Sequence, residues 1–148
     1  AEAVSVAAAR QPRQMFLDTT PGLEQLLDRE IQSLGIPGKR VLYASGVGLE
    51  APEESLWRVA LESRVVECVR VQAKRPFHCP YESTLGNHAA GVDWLDFIWF
   101  RPNPVIPVVR VISEKSRLFH TRLIENRILT SIDDERQRYL RSLLQKTE

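Results

Sequence analysis

The sequence predicts a mixed α/β fold whose strands and helices are joined by short connections. Two observations lead to this class. Segments with alternating apolar residues and segments with apolar residues at helical spacing follow one another in the order β-α-β-β-α-β-α-β-α. Residues typical of turns separate most of these segments. The 148 residues suit one compact domain or two small ones packed together, and a boundary near residues 47–52 gives two layers of sheet and helix.

The first half of the chain carries the clearest elements. They are predicted as a strand at 14–18, a helix at 21–34, strands at 40–44 and 47–51, a helix from residue 52 and a strand at 65–73. Thr19 or Thr20 is the expected N-cap of the first helix, with Pro21 at the first helical position. On the second helix, Trp57 has the spacing of a core residue.

The second half contains a weaker helix at 81–93 and then a strand, a polar turn and a helix in close succession. The strand is predicted at 105–112, the turn at 113–117 and the helix from about His120, with Asp133 and Asp134 at its end. Groups suited to an anion concentrate there, namely Arg110, Lys115, Ser116, Arg117, His120 and Arg122. Because the first amides of a helix have no partners within it, this edge favours a phosphate backbone as ligand. An ordinary strand–loop–helix with solvated charges remains the alternative.

The polar face of the strand at 65–73 is basic as well. Apolar Val69 and Val71 alternate with Arg70 and Gln72 along this strand. Its cations and those just after it, Arg70, Lys74 and Arg75, either join an RNA-facing surface or form a solvated sheet face. The pattern leaves both interpretations open.

Composition sets limits on the class of protein. The formal net charge of +1 argues against a wholly basic protein and leaves room for a local basic patch. Two cysteines are fewer than a small secreted scaffold usually has, so a reducing, cytoplasmic location is expected, with an organelle as the alternative. No apolar run approaches the ~20 residues that span a membrane. Residues 1–13, rich in Ala, Val and Arg, are expected to form a disordered arm, although a transit-peptide remnant is the other interpretation.

Motifs that carry catalysis are missing from the sequence. Gly46 and Gly48 form only a Gly-x-Gly, and the helix after them opens with Pro52 where a dinucleotide-binding motif needs a third glycine. His78 and Cys79 are adjacent but lack the second ligand pair that a zinc site requires. There is neither a P-loop nor a Gly-x-Ser-x-Gly elbow. We therefore expect no catalytic, cofactor-binding or metal-binding residues in this chain.

Several runs resemble, in the right order, the N-terminal part of THUMP-domain RNA methyltransferases. The runs are FLDTTPGLE at 16–24, LWRVALESRVVECV at 56–69, GVDW at 91–94, PVVRV at 107–111 and SRLFHT at 116–121. Beyond the last run, Arg122, Asn126 and Ile128 also fit. The resemblance covers residues 14–134. Each run alone is loose, and the ordered set carries the resemblance.

The resemblance implies a domain plan and an activity. It divides the chain into the arm (1–13), a ferredoxin-like subdomain (14–48), a THUMP RNA-binding domain (49–134) packed against it, and a C-terminal helix or linker (135–148). Such modules hold structured ribosomal or transfer RNA for a methyltransferase domain in cis, which modifies guanine N2 with S-adenosylmethionine. The chain ends at Glu148 before any methyltransferase motif, so that cofactor is expected only in the missing domain. Carried onto this sequence, the RNA-facing residues are Lys115, Ser116, Arg117, His120, Thr121 and Arg122.

Two other functions remain open from the sequence. The thiouridine-forming tRNA enzymes share the same module, although the Thr-Pro-Gly-Leu-Glu run at 20–24 favours the methyltransferase branch. A protein-interaction domain would instead dock a partner through the aromatic cluster at 94–100 or the leucines at 140–144. Binding to RNA depends on salt and binding through apolar clusters hardly does, so salt dependence separates the two classes.

Overall fold

The computed structural model describes residues 11–98 and 107–146. Most of the predicted arm, residues 1–10, therefore lies outside the described residues, as do residues 99–100 of the aromatic cluster and residues 105–106 of the predicted strand. The contacts within the chain define two compact units, Ala1–Gln72 and Ala73–Glu148. The predicted boundary between residues 48 and 49 falls inside a strand of the first unit.

The first unit is a four-stranded antiparallel sheet with two helices. Its elements are β1 (Arg13–Asp18), α1 (Glu24–Ser33), β2 (Lys39–Tyr43), β3 (Gly46–Ala51), α2 (Glu53–Glu62) and β4 (Cys68–Val71). The strand order is β2-β3-β1-β4, and all neighbouring strands run antiparallel. Two split β-α-β units interleaved in this way define a ferredoxin-like arrangement. The predicted mixed α/β class with a ferredoxin-like subdomain is confirmed.

The core of this unit lies on one face of the sheet. Side chains on a strand alternate between faces, and the inward set comprises Met15 and Leu17 of β1 and Val47 and Leu49 of β3, all at most 1% exposed. Leu27 and Ile31 of α1 and Val59 of α2 cover this set from the helices. The apolar spacing of both helices thus serves one core.

The first helix begins later than predicted, because the two threonines bond elsewhere. Thr19 Oγ1 donates to the Val65 carbonyl at 2.9 Å, and Thr20 Oγ1 donates to the Glu67 carboxylate. Gly22 takes a positive φ of 97°, and α1 starts only at Glu24, without a side-chain cap. The prediction of an N-cap at Thr19 or Thr20 with Pro21 inside the helix is therefore wrong.

Two further predictions for this unit are corrected, one in the bounds of a strand and one in the burial of Trp57. The strand predicted at 65–73 shortens to Cys68–Val71, since the Ser63 hydroxyl accepts from the amides of Val65 and Val66 and holds that stretch as a loop. Trp57 is 61% exposed, because α2 buries Ser55 and Val59 and so presents a different side to the sheet.

The second unit contains α3 (Glu82–Ala90), a short 3₁₀ helix (Trp94–Asp96) and α4 (Thr121–Gln145). The weaker helix predicted at 81–93 forms as α3, and Leu85, Ala89 and Val92 are buried. Between the two helices, Arg127 Nε of α4 donates to Glu82 Oε1 of α3 at 2.8 Å. The predicted helix end at 133–134 is wrong, because α4 continues to Gln145.

Hydrogen bonds connect the 3₁₀ helix to the middle of α4. The Glu135 carboxylate accepts from the amides of Trp94 at 2.9 Å and Leu95 at 3.4 Å. Trp94 Nε1 donates to Ser131 Oγ and to the Ala89 carbonyl, both at 3.2 Å. The indole predicted to belong to an apolar cluster is therefore also a polar link between the helices.

The strand predicted at 105–112 does not form over residues 107–112. Exposure still alternates along this stretch, with Val109 and Val111 partly covered and Val108 and Ile112 at 91% and 80% exposed. Alternation in a sequence reports which side chains turn inward, whereas a strand also needs a hydrogen-bonded neighbour. In the described parts of the chain, no helix is long and apolar enough to cross a membrane.

Candidate nucleic-acid interface

The basic turn is a closed loop in front of α4. Ser113 Oγ donates to the Leu118 carbonyl at 2.8 Å and ties the two ends of the loop together. Lys115 adopts a φ of 48°, a left-handed conformation uncommon for residues other than glycine. The chain therefore reverses tightly at this lysine. Lys115, Ser116 and Arg117 are all exposed, so their polar ends are accessible to a ligand.

Arg117 is positioned by an aromatic ring from another segment. Its guanidinium carbon lies 5.0 Å from the centroid of the Tyr81 ring. Tyr81 immediately precedes α3 in the chain. A cation over an exposed ring gains about 0.5–1 kcal/mol, which is enough to favour one side-chain orientation over others. Tyr81 is 56% exposed and was not among the predicted site residues. Neither its spacing nor its neighbours in the sequence indicate this contact.

The start of α4 presents amides and cations together. The His120 carbonyl accepts from the amides of Leu123 and Ile124, both at 3.1 Å. Within the described residues no side chain caps this end, and the first turn contains no acidic residue. The amides of Thr121 and Arg122, which precede these bonds, point out of the helix start. Together with the helix dipole they favour an anion there.

A groove of about 680 Å³ runs beside this helix start. The residues that line it are Glu82, His120, Arg122, Leu123, Asn126, Arg127 and Thr130. Three of them are Arg or His, and the carboxylate among them, Glu82, already accepts from Arg127. The His120 ring lies 4.1 Å from the Phe119 ring, centroid to centroid, and Phe119 is 64% exposed. The groove therefore combines positive charge with the His120 ring, against which the exposed Phe119 ring lies.

The structure brings most of the predicted site residues into one stretch of the second unit. Lys115, Ser116 and Arg117 occupy the loop, Thr121 and Arg122 open α4, and His120 lies between them. Arg110 is exposed earlier in the same segment. That each of these residues contacts RNA remains a prediction.

Lys74 and Arg75 lie at the beginning of the second unit and differ in their surroundings. Lys74 Nζ donates to the His88 carbonyl at 3.1 Å, in the last turn of α3, where a cation complements the helix dipole. This lysine is half-buried, whereas Arg75 is exposed. Lys74 thus has a structural partner, and Arg75 is the more accessible of the two for a ligand.

The surroundings of Cys79, next to His78, disfavour a reactive thiolate. Burial raises the pKa of the Cys79 thiol, which disfavours the thiolate that a nucleophilic cysteine needs. Its Sγ donates to the Tyr81 carbonyl at 3.5 Å. Among the described residues, no group of three His, Cys, Asp or Glu side chains is arranged to hold a metal ion.

Comparison with known proteins finds a family of domains to which the first unit is similar. The fold already defines it as a ferredoxin-like domain of the β-α-β-β-α-β type. Residues 14–70 match the family model of the RlmL ferredoxin-like domain. The matched residues run from β1 into β4. This match supports the relationship to RNA methyltransferases for the first unit. It covers less than half of the chain and ends before the second unit begins.

Solved structures share the fold over most of the chain. SMU.472, described as a candidate methyltransferase in complex with SAH, superposes with a TM-score of 0.73 at 18% identity, covering 89% of this chain and 34% of that one. A candidate methylase from Clostridium difficile 630 gives 0.71 at 19% identity, with 88% and 34% covered. A predicted N6-adenine-specific DNA methylase from Listeria monocytogenes str. 4b F2365 gives 0.69 at 20% identity, with 88% and 33% covered. At these identities the likeness establishes the fold.

A protein of Dictyostelium discoideum named as uncharacterised is also similar in sequence. It is 25% identical over 130 residues, which cover 78% of this chain and 23% of that protein. The present chain therefore spans about a quarter of this relative and about a third of the solved structures. Activities that belong to those longer proteins as a whole reach this chain only as proposals.

Proposed function

We propose that this chain is an RNA-binding module that holds structured ribosomal or transfer RNA for modification by an S-adenosylmethionine-dependent guanine-N2 methyltransferase domain in cis. One observation carries the proposal. A closed loop with two exposed cations, Lys115 and Arg117, leads directly into a helix start without a side-chain cap in the described residues. Cations and helix amides together form a surface for phosphate.

The chemistry of this surface suits folded RNA better than a particular base sequence. A-form RNA offers phosphates, 2′-hydroxyls and shape, while its base edges are hard to reach. Lys115, Arg117 and Arg122 supply charge for phosphates. Ser116 and Thr121 are exposed hydroxyls that donate to phosphate oxygens. The exposed ring of Phe119, next to His120, offers a stacking surface for an unpaired base.

The comparisons support the enzymatic context. The match of residues 14–70 to the RlmL ferredoxin-like domain supports an RNA-modifying enzyme, and the SAH in the SMU.472 complex supports S-adenosylmethionine as the cofactor of the catalytic domain. Assignment of residues 49–134 to a THUMP RNA-binding domain, the choice of guanine N2, and a cytoplasmic location are parts of the proposal. A thiouridine-forming enzyme would use the same RNA surface with a different catalytic domain.

The test is the salt dependence of RNA binding by the 148-residue chain. Fluorescence anisotropy with a labelled tRNA and with a ribosomal-RNA stem-loop gives the slope of log affinity against log salt concentration. Changing Lys115 and Arg117 together to Ala should weaken binding and lower the magnitude of this slope by about 2, because two phosphate contacts are lost. An unchanged slope would remove the loop from the RNA surface.

A matched control removes the same amount of charge from the far end of α4, away from the loop. Arg138 and Arg141 are exposed near the far end of α4, and their double change to Ala should leave the slope within error of the unchanged protein. An equal fall in both double variants would mean that net charge, and not the loop, governs binding. Salt-insensitive binding to a protein partner would favour the interaction-domain alternative, for which Leu143 and Leu144 are among the exposed apolar residues.

A further inference from the structure

The sheet of the first unit has a second face, opposite the core. Because paired residues on antiparallel strands share a face, Phe16 of β1 lies on this side with Gly48 of β3 and Arg70 of β4. Lys39 and Tyr43 of β2 lie on the same side. These residues and Gln14 help line a groove of about 760 Å³. We call Gln14, Phe16, Lys39, Tyr43, Gly48 and Arg70 the open sheet face.

The rings of Phe16 and Tyr43 pack directly against the glycines of β3. A side chain added at Gly46 would come within 2.6 Å of Phe16 Cε1, and one added at Gly48 within 2.8 Å of Tyr43 Cε2. The glycines therefore leave the space that the rings occupy. The ring centroids are 5.7 Å apart with an angle of 53° between their planes. Tyr43 is 52% exposed, so its ring offers a surface to a ligand.

A fixed guanidinium adjoins the rings. The Arg70 guanidinium carbon lies 5.0 Å from the Phe16 centroid. Asp18 holds it through two hydrogen bonds, at 2.6 Å to Nε and 2.5 Å to Nη2. Since Asp18 balances Arg70, and Glu50 is paired opposite Lys39, this face has little net charge. It presents planar groups that stack and primary amides that donate and accept hydrogen bonds, unlike the basic loop.

We propose that the open sheet face stacks one or two unpaired bases of the bound RNA. Aromatic rings and arginine planes are the groups on which proteins stack single-stranded bases, and the near-neutral charge predicts that this contact depends little on salt. The proposal takes from the proposed function only that the ligand is RNA. It assigns binding of single-stranded RNA to the first unit, independently of the basic loop.

The test uses the 148-residue chain and a short labelled single-stranded oligoadenylate, followed by fluorescence anisotropy. Tyr43→Ala should weaken binding about 5- to 150-fold, the range for losing one stacked base, and Tyr43→Phe should retain it. Trp57→Ala is the matched control, because Trp57 is an exposed aromatic on α2, outside the open sheet face. Equal affinity of the Tyr43→Ala variant and the unchanged protein would overturn the proposal.

A second measurement needs no variant. Titration of the unchanged chain with the same oligonucleotide should shift the NMR signals of Gln14, Tyr43 and Arg70. Shifts confined to other residues, or no binding of the oligonucleotide at all, would overturn the proposal. The Lys115 and Arg117 double variant separates the two functions. It should bind the oligonucleotide normally, and if its folded-RNA slope is also unchanged, the loop hypothesis fails while this proposal stands.

Discussion

The Glu30 carboxylate joins α1 to the segment between α2 and β4. Its Oε2 accepts from Ser63 Oγ, and its Oε1 accepts from the Arg64 amide at 2.8 Å. Ser63 Oγ in turn accepts from the Val66 amide at 3.1 Å. Changing Glu30 to Gln keeps the size of the side chain but offers one acceptor and one donor where two donors point at it. We expect this change to destabilise the first unit.

The structure sets the size of this effect. A hydrogen bond to a charged group contributes about 1.5–3 kcal/mol, and the substitution loses one such bond and the charge behind the other. Partial exposure of Glu30 reduces the gain, because solvent screens the interaction. We expect a loss of about 1–2 kcal/mol in the free energy of unfolding near neutral pH. For a unit of this size, each kcal/mol lowers the melting temperature by about 4–8 °C.

The effect depends on pH with a definite sign. Burial works to raise the pKa of the Glu30 carboxyl, but hydrogen bonds from Ser63 and from the amides of Arg64 and Val65 outweigh it, so the pKa lies below its ordinary value of 4.5. A carboxylate with a lowered pKa stabilises the fold above its unfolded pKa, and this contribution is lost as the pH falls through the folded pKa. The difference between the native protein and Glu30→Gln should therefore be largest above pH 4.5 and shrink below it.

Urea unfolding followed by circular dichroism measures the free energy, and amide exchange at Arg64 localises the loss. Glu62→Gln is the control, since the pair that Glu62 forms with Arg58 at 3.1 Å is exposed and spaced i,i+4. This change should cost no more than about 0.5 kcal/mol. The reasoning is refuted if Glu30→Gln and Glu62→Gln are equally stable, or if their difference stays constant down to acid pH.

Two further predictions concern the aromatic support of the loop and the β3 glycines. Tyr81→Ala should weaken folded-RNA binding about two- to fivefold in the anisotropy assay, because Arg117 loses about 0.5–1 kcal/mol of orientation. Tyr81→Phe should restore it, and a fall of about 1 in the salt slope would contradict this reasoning, since no charge is removed. Gly46→Ala should lower the free energy of unfolding by about 1–3 kcal/mol, because its Cβ would lie 2.5 Å from the Leu17 carbonyl. Gly86→Ala, whose nearest neighbour is at 4.0 Å, should not destabilise in the same urea assay, and equal losses in both variants would sink the argument.

Local patterns predicted the elements whose burial follows a simple period. The strand at 14–18 and the helix that begins after His120 are confirmed, because alternation and helical spacing each report one buried face. Interactions across the fold decided the places where prediction failed. Trp57 has core spacing, but α2 turns Ser55 and Val59 to the sheet instead. Acidic residues at 133–134 are compatible with an exposed helix face, so they do not end α4.

The candidate site also contains some residues that the sequence indicated and others that only the fold brings together. Residues consecutive in sequence, from Lys115 to Arg122, could be predicted because one loop and one helix start hold them. Tyr81 and the ring pair of Phe16 and Tyr43 could not, since each contact joins segments distant in the chain. Only the fold supplies these neighbours, and they are the residues that turn a charged loop and a bare sheet face into defined surfaces.

Because α4 is one continuous helix, a movement at one point along it can displace its ends. Its 25 residues extend roughly 37 Å, with the basic loop at one end and its anchor, through Ser131 and Glu135, near the middle. Arg127, closer to the loop, also bonds α4 to Glu82 of α3, so a tilt of the helix at Glu135 would be passed along α4 toward its start. A change of packing at the Glu135 contact, about 21 Å along the axis from Thr121, would therefore move the loop without touching it. Substitutions near the 3₁₀ helix are thus expected to alter how the loop presents its charges, although the Glu135 contact lies about 21 Å from the helix start.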